Sequence, residues 1–137
     1  MPIHPVLARE LCQSKRLQKF FNSLPESSRQ QIDHSVREVK KEDTRLRRAK
    51  HAAEYLMEAM EAELDPPPMM KAAFARNTKA RQGWELMPQS LRRQYLMDIF
   101  RSRFPETRLL HLENALRESA RYAGQNAGDS RDPDVET

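Results

Sequence analysis

Residues 11–56 recur, without a gap, at residues 74–119. Pro25 aligns with Pro88, and the offset of 63 then holds throughout. Ser27/Ser90, Arg29/Arg92, Gln31/Gln94, Thr44/Thr107, Arg45/Arg108, Leu46/Leu109 and Ala52/Ala115 are identical. Leu11/Phe74, Phe21/Trp84, Leu24/Met87, Val36/Ile99 and Lys40/Arg103 are conservative pairs. A duplicated unit constrains the architecture before any propensity is summed, because both copies must present the same apolar faces.

Within each copy the apolar period is helical. In copy one, short helices are expected over Val6–Cys12 and Lys15–Ser23, the latter turning Leu17, Phe20, Phe21 and Leu24 inward. Leu24-Pro25 breaks the chain, and Ser27 with Gln30 has the spacing of a capping box. Ile32, Val36 and Val39 mark a third helix, and Leu46, Ala49, Ala53, Leu56, Met60 and Leu64 form a single stripe along a fourth. Asp65-Pro66-Pro67-Pro68 stops the first copy, since proline cannot continue a helix. Copy two repeats the order, with Gly83 weakening its second helix and Leu109, Leu112, Leu116 and Ala120 completing the last stripe. No segment alternates as a strand would, and only 3 glycines occur. The expected fold is all-α, about eight helices in two pseudo-symmetric four-helix units. Copy one covers 1–64, a proline connector 65–68, and copy two 69–123, the copies packed as a single domain. The stretch 124–137 has two glycines, a proline, and four acids against one arginine. It has too little apolar surface to offset its ordering entropy and is expected to be disordered.

Net charge is +4 over the chain, but residues 1–123 carry 23 basic and 16 acidic side chains. The single cysteine, Cys12, excludes an intrachain disulfide and a cysteine-based zinc cage. The N-terminus lacks a basic and then apolar leader, and no apolar run reaches the roughly 20 residues of a membrane span. The expected location is the cytoplasm.

Leu24-Pro25-Glu26-Ser27-Ser28-Arg29, followed by Val39-Lys40 and Glu42-Asp43-Thr44-Arg45, resembles the C-terminal helical motif of the YdeI/OmpD-associated, bacteriocin-protection family. Met87-Pro88-Gln89-Ser90 and Pro105-Glu106-Thr107-Arg108 carry the same motif in copy two. The strand-rich N-terminal portion usual in that family is not matched. The resemblance implies a helical fold and, through the family's name, protection against antimicrobial peptides. It implies no catalytic residue.

The shared motif residues are Pro25, Ser27, Arg29, Thr44 and Arg45 in copy one and Pro88, Ser90, Arg92, Thr107 and Arg108 in copy two. A threonine and arginine at a helix start could hold an anion. The plainer reading is preferred, because duplicated motifs preserve packing: each arginine is held by a carboxylate or by helix-end carbonyls, and threonine and acid cap the turn. Residues 37–50 hold Arg37, Lys40, Lys41, Arg45, Arg47, Arg48 and Lys50 against three acids. Such a segment could contact phosphates, although copy two replaces Arg47, Arg48 and Lys50 with Leu110, His111 and Glu113. His51 and Glu54 lack the further ligands that a metal needs, and their counterparts are Asn114 and Arg117, so no metal site and no cofactor are expected. The methionines, dense at Met57, Met60, Met69, Met70, Met87 and Met97, are expected to fill gaps between the copies.

No constellation supports catalysis. The expectation is a non-enzymatic binding protein whose partner is an unspecified protein or peptide, tied through the resemblance to bacteriocin resistance. The alternative is a nucleic-acid-binding or regulatory module that uses residues 37–50, its nucleic-acid binding weak and without sequence preference. Neither oligomeric state nor partner is written in the chain.

Overall fold

The computed structural model describes residues 2–135, and side chains as far as Gln125. Among the described residues there are eight α-helices and no strand. Copy one comprises α1 (Pro5–Leu11), α2 (Lys15–Ser23), α3 (Glu26–Arg37) and α4 (Glu42–Leu64). Copy two comprises α5 (Pro68–Arg76), α6 (Thr78–Leu86), α7 (Gln89–Arg101) and α8 (Pro105–Val135). Each helix of copy two starts 63 residues after its counterpart, at Pro5/Pro68, Lys15/Thr78, Glu26/Gln89 and Glu42/Pro105.

The helix starts repeat because their local chemistry repeats. Ser14 Oγ accepts from the Leu17 amide at 3.2 Å, and Asn77 Oδ1 accepts from the Ala80 amide at 3.0 Å. Each satisfies one amide that the first turn leaves without a helical partner. Pro25 and Pro88 precede α3 and α7 with nearly the same backbone, φ/ψ of −56°/149° and −58°/146°. This corrects one expectation. The Ser27–Gln30 capping box does not form, because α3 begins at Glu26 and Ser27 already lies inside it. Gln30 instead donates to Glu26 Oε2 at 3.3 Å.

The core is built from Leu7, Leu11, Leu17, Phe20, Phe21, Ile32, Val36 and Leu56 of copy one and Met70, Leu96, Met97, Ile99 and Leu112 of copy two, all buried. In copy one α1, α2 and α3 all pack on α4. In copy two α8 packs mainly on α6, while α7 lies between α8 and α4 and so joins the copies. Arg93 seals that junction from α7: its guanidinium pairs with Glu63 of α4 at 2.7 and 2.9 Å, donates to Ser23 Oγ, and lies over the Phe20 ring.

The apolar stripe of α4 is rotated from its expected line. Ala49, Leu56 and Met60 are buried, but Leu46 is 39% and Leu64 69% exposed, and in α8 Leu109 is 46% exposed. The inward line runs instead through Arg45, Ala49, Ala52, Leu56 and Ala59, and through Arg108, Leu112, Ala115, Ser119 and Ala123 in α8. Arginine takes the inward position of the first turn because carbonyl groups await it there.

Gly83 lies inside an expected helix but has a packing role that the sequence did not reveal. Its helix forms, and the glycine serves a close approach: a Cβ at Gly83 would lie 1.7 Å from the Ser119 carbonyl oxygen. Cys12, expected as the last residue of the first helix, is instead the C-cap of α1 and is exposed. α8 runs to Val135. Most of the stretch expected to be disordered, 124–137, lies outside the residues whose side chains are described.

Candidate functional site

The four duplicated arginines form one repeated device. Arg29 Nε donates to the Leu24 carbonyl at 3.2 Å, and Arg92 Nη1 donates to the equivalent Met87 carbonyl at 2.8 Å. Arg45 donates to the carbonyls of Val36 and Val39, and Arg108 Nε to that of Ser102, the counterpart of Val39, at 2.6 Å. Each guanidinium therefore covers the carbonyl end of the preceding helix or link, where helical geometry leaves acceptors unpaired and the dipole favours a cation. The carboxylate partners differ. Arg45 pairs within its own helix with Glu42 at 2.7 Å. Proline replaces that acid at position 105, and Arg108 reaches across to Glu58 of copy one at 3.1 Å.

Of the remaining motif residues, Pro25 and Pro88 supply carbonyls that accept from the Arg29 and Arg92 amides, both at 3.1 Å. Thr44 does not cap its turn as expected: α4 starts at Glu42 with no side-chain cap, and Thr44 Oγ1, already inside the helix, accepts from Arg47 at 3.2 Å. Thr107 and Ser90 are half-buried, and Ser27 is exposed.

The fold disperses the basic segment 37–50. Arg37 is tied to Asp33 at 2.6 Å and to the Pro2 carbonyl. Arg45 faces inward, and Lys40 and Lys41 lie in the α3–α4 link. Arg47, Arg48 and Lys50 join Arg101, Arg103, His51 and exposed Phe104 around an open groove of about 720 Å³. Most of these cations already have carboxylates beside them: Glu38 on Arg48 at 2.8 Å, Glu10 on Lys50 at 3.7 Å, Asp98 on Arg101 at 3.4 Å and Glu54 on Arg103 at 3.4 Å. The groove is consequently much less positive than its lining suggests. Beneath it, burial raises the Asp98 carboxyl above its ordinary value, against Arg101 and His111, which pull it down. Burial likewise raises the Tyr55 phenol, opposed by Arg101. Among the described residues no group of three His, Cys, Asp or Glu is placed to hold a metal.

A second cleft, about 620 Å³, opens where the end of α4 and the proline connector meet α5, α6 and α7. Its apolar wall is Met70, Phe74, Trp84 and Leu96, with Leu64 and Pro66 at the lip. Phe74 and Trp84 lie tilted at 45° with ring centroids 5.5 Å apart, and Trp84 and Tyr95 at 50° with centroids 6.5 Å apart. Lys71, Arg81, Arg92, Glu63 and Glu85 supply charge. The volume lies within the range usual for small-ligand clefts, and the lining mixes an apolar wall with a few polar groups.

Sequence reasoning missed this cleft, having placed the methionines as filler between the copies. Met60, Met70, Met87 and Met97 are buried, but Met57 is only half-buried and Met69 is 38% exposed, so filling accounts for only part of the set. A signal was present where the copies diverge: Trp84 stands for Phe21 and Leu96 for Asp33. In copy one the equivalent positions Leu7, Leu11 and Phe21 are at most 3% exposed. Ile3 packs on that core, and the His4 amide donates to Asp33 at 2.7 Å. In copy two Phe74 and Trp84 remain half-buried.

These features define an all-α tandem-repeat protein whose copies enclose an open apolar cleft. The family model for bacteriocin protection, YdeI or OmpD-associated, matches residues 1–59 and again 63–122, and the chain belongs to that family, with the helical motif present twice. No curated protein and no solved structure matches the chain. No helix among the described residues is long and apolar enough to cross a membrane.

Proposed function

We propose that the protein acts in the cytoplasm by binding rather than by catalysis, and that it takes a peptide or protein segment in the cleft between its copies, in the service of protection against peptide bacteriocins. The observation that carries this reading is the pair of half-buried aromatic rings, Phe74 and Trp84, lining a concave apolar surface open to solvent. Rings left partly wet in a folded monomer gain most from a partner that finishes their burial. The family's description is in keeping with a peptide target. Cys12, a free exposed thiol, suits a reducing compartment.

Trp84 is the single tryptophan of the chain, so it reports on its own site. Titrating amphipathic peptides of either charge sign should shift its emission to the blue and saturate. Leu64→Glu, on the exposed lip, should weaken that binding about tenfold while leaving the melting temperature unchanged, by placing a charge against apolar ligand surface. If no peptide changes the emission up to roughly millimolar concentration, the reading fails.

The nucleic-acid reading of residues 37–50 has less support, because the groove's cations are largely paired. Binding to random duplex DNA should fade by about 0.2 M salt, as expected for few phosphate contacts. Submicromolar binding at that salt, lost on changing Arg47, Arg48 and Lys50 to Glu, would reverse the ranking.

A further inference from the structure

The charges around the apolar cleft are not equivalent. Glu63 is engaged by Arg93 through both carboxylate oxygens, and Lys71 is paired with Asp65 at 3.1 Å. Arg81 has no ion pair or hydrogen bond among the described residues, although Glu85 lies one turn along the same helix. Arg92 is different again. All three of its hydrogen bonds, to the carbonyls of Trp84, Glu85 and Met87 at 3.3, 3.4 and 2.8 Å, leave from Nη1. Its Nε and Nη2 have no partner among the described residues. In copy one Arg29 uses Nε for the same task. Arg92 is thus anchored by one corner with its two-donor edge unspent, in the wall of an apolar cleft and with no carboxylate paired to it.

We infer, on the basis of the peptide reading above, that this cleft recognises the free C-terminal carboxylate of a peptide whose last residue is apolar. The Nε–Nη2 edge of a guanidinium matches the two oxygens of a carboxylate, and such paired charge-assisted bonds are strong and directional. Arg81 adds a second cation. The apolar wall shares the cleft with Arg92: Leu96 lies one turn from it on α7, and Trp84, whose carbonyl accepts from its Nη1, lines the same space. A ligand must therefore present an apolar group and a carboxylate close together. A C-terminal residue does so from one Cα, whereas an aspartate or glutamate spends its side chain on the charge.

The test uses the full-length protein and a short N-acetylated peptide ending in two leucines. It is prepared with a free C-terminal carboxylate, as the C-terminal amide, and as an amide with an internal glutamate. Trp84 emission reads binding. The free acid should bind at least about tenfold more tightly than either amide. Arg81→Gln should reduce that preference severalfold and Glu85→Gln should enlarge it, since each alters charge at exposed positions. Arg92→Gln should abolish the preference. Should that variant lose its fold with the α6 cap, the Arg81 and Glu85 variants still decide the matter. Equal binding of acid and amide overturns the inference while leaving the peptide reading intact, as does equal binding of the glutamate-bearing amide. If cationic amphipathic peptides bind and none of these three does, the inference alone fails. If nothing binds, both fail.

Discussion

Helices α2 and α4 of copy one and α6 and α8 of copy two descend from the same unit, yet they meet in opposite ways. At two matched positions copy one has Phe20 and Leu56, both buried where α2 packs on α4. Copy two has Gly83 and Ser119 there, and the backbones come into contact. Large side chains keep helix axes apart, while small ones let them approach. Once α6 and α8 have closed on each other, the copies cannot be filled identically elsewhere. Copy one packs Leu7, Leu11 and Phe21 shut. Copy two leaves Phe74 and Trp84 half-wet around a cleft. A duplicated fold can thus keep its caps and helix starts while one copy gains an open surface.

Substitution at the matched positions should expose this difference directly. Phe20→Ala removes a large ring from a filled core and from under the Arg93 guanidinium, so it should cost roughly 3–5 kcal/mol. Leu56→Ala, at a fully buried position, should cost roughly 2–5 kcal/mol. Its counterpart Ser119→Ala should cost nothing or stabilise slightly, because the buried Ser119 Oγ has no hydrogen-bond partner among the described residues. Equal urea midpoints for the Leu56 and Ser119 variants would remove the contrast.

Gly83→Ala should destabilise by about 1–3 kcal/mol, whereas alanine in an open helix would be favoured over glycine. The obstructing atoms are α8 backbone, which cannot rotate away as a side chain can. A variant as stable as wild type would show that α6 and α8 are not in backbone contact.

The arginine clamps test what the copies still share. Arg45→Gln and Arg108→Gln should each cost roughly 1–2 kcal/mol by stranding helix-end carbonyls. Only the Arg108 change should also loosen the contact between copies, because only Arg108 pairs across it, with Glu58. Hydrogen exchange of α4 and α7 amides would report that asymmetry. If both variants melt as wild type, the clamps contribute little.

The smallest effect is expected at Asp98, in α7 against α4. Burial raises its folded-state pKa, so the folded protein holds that proton more tightly than the unfolded chain does. Its contribution to stability is present in full below the ordinary carboxylate value and is lost as pH rises through the raised folded value. Asp98→Asn should remove that loss, leaving the variant at least as stable as wild type at neutral pH. A variant that gains stability relative to wild type only as the pH is lowered has the opposite sign and contradicts it.

How much of this was legible beforehand depends on how far each determinant reaches along the chain. The eight helices, their repeat at 63 residues and the proline breaks are set by neighbours within a few positions, so periodicity and turn residues sufficed. One short-range detail failed: Pro25 moved the start of α3 ahead of the Ser27–Gln30 box, because proline already supplies a helix-entry backbone. The facing of α4 was harder. Leu46 and Arg45 are adjacent, about 100° apart on the helix, and apolar periodicity alone favours leucine as the inward residue. The carbonyls of Val36 and Val39 decided otherwise, and they are in place only once α3 has turned back. The basic segment could be read as charge, but not as a set of pairs, since Glu10, Asp98, Arg101 and Arg103 come from elsewhere in the chain.

The sequence by itself determined the duplicated helical unit, its proline breaks, and its membership of the family. Only the tertiary structure decided which copy is closed and which is open. That outcome depends on how near two helices approach at Gly83 and Ser119, and on which donors of Arg92 remain unspent, and both are fixed by distances between residues that no local rule relates.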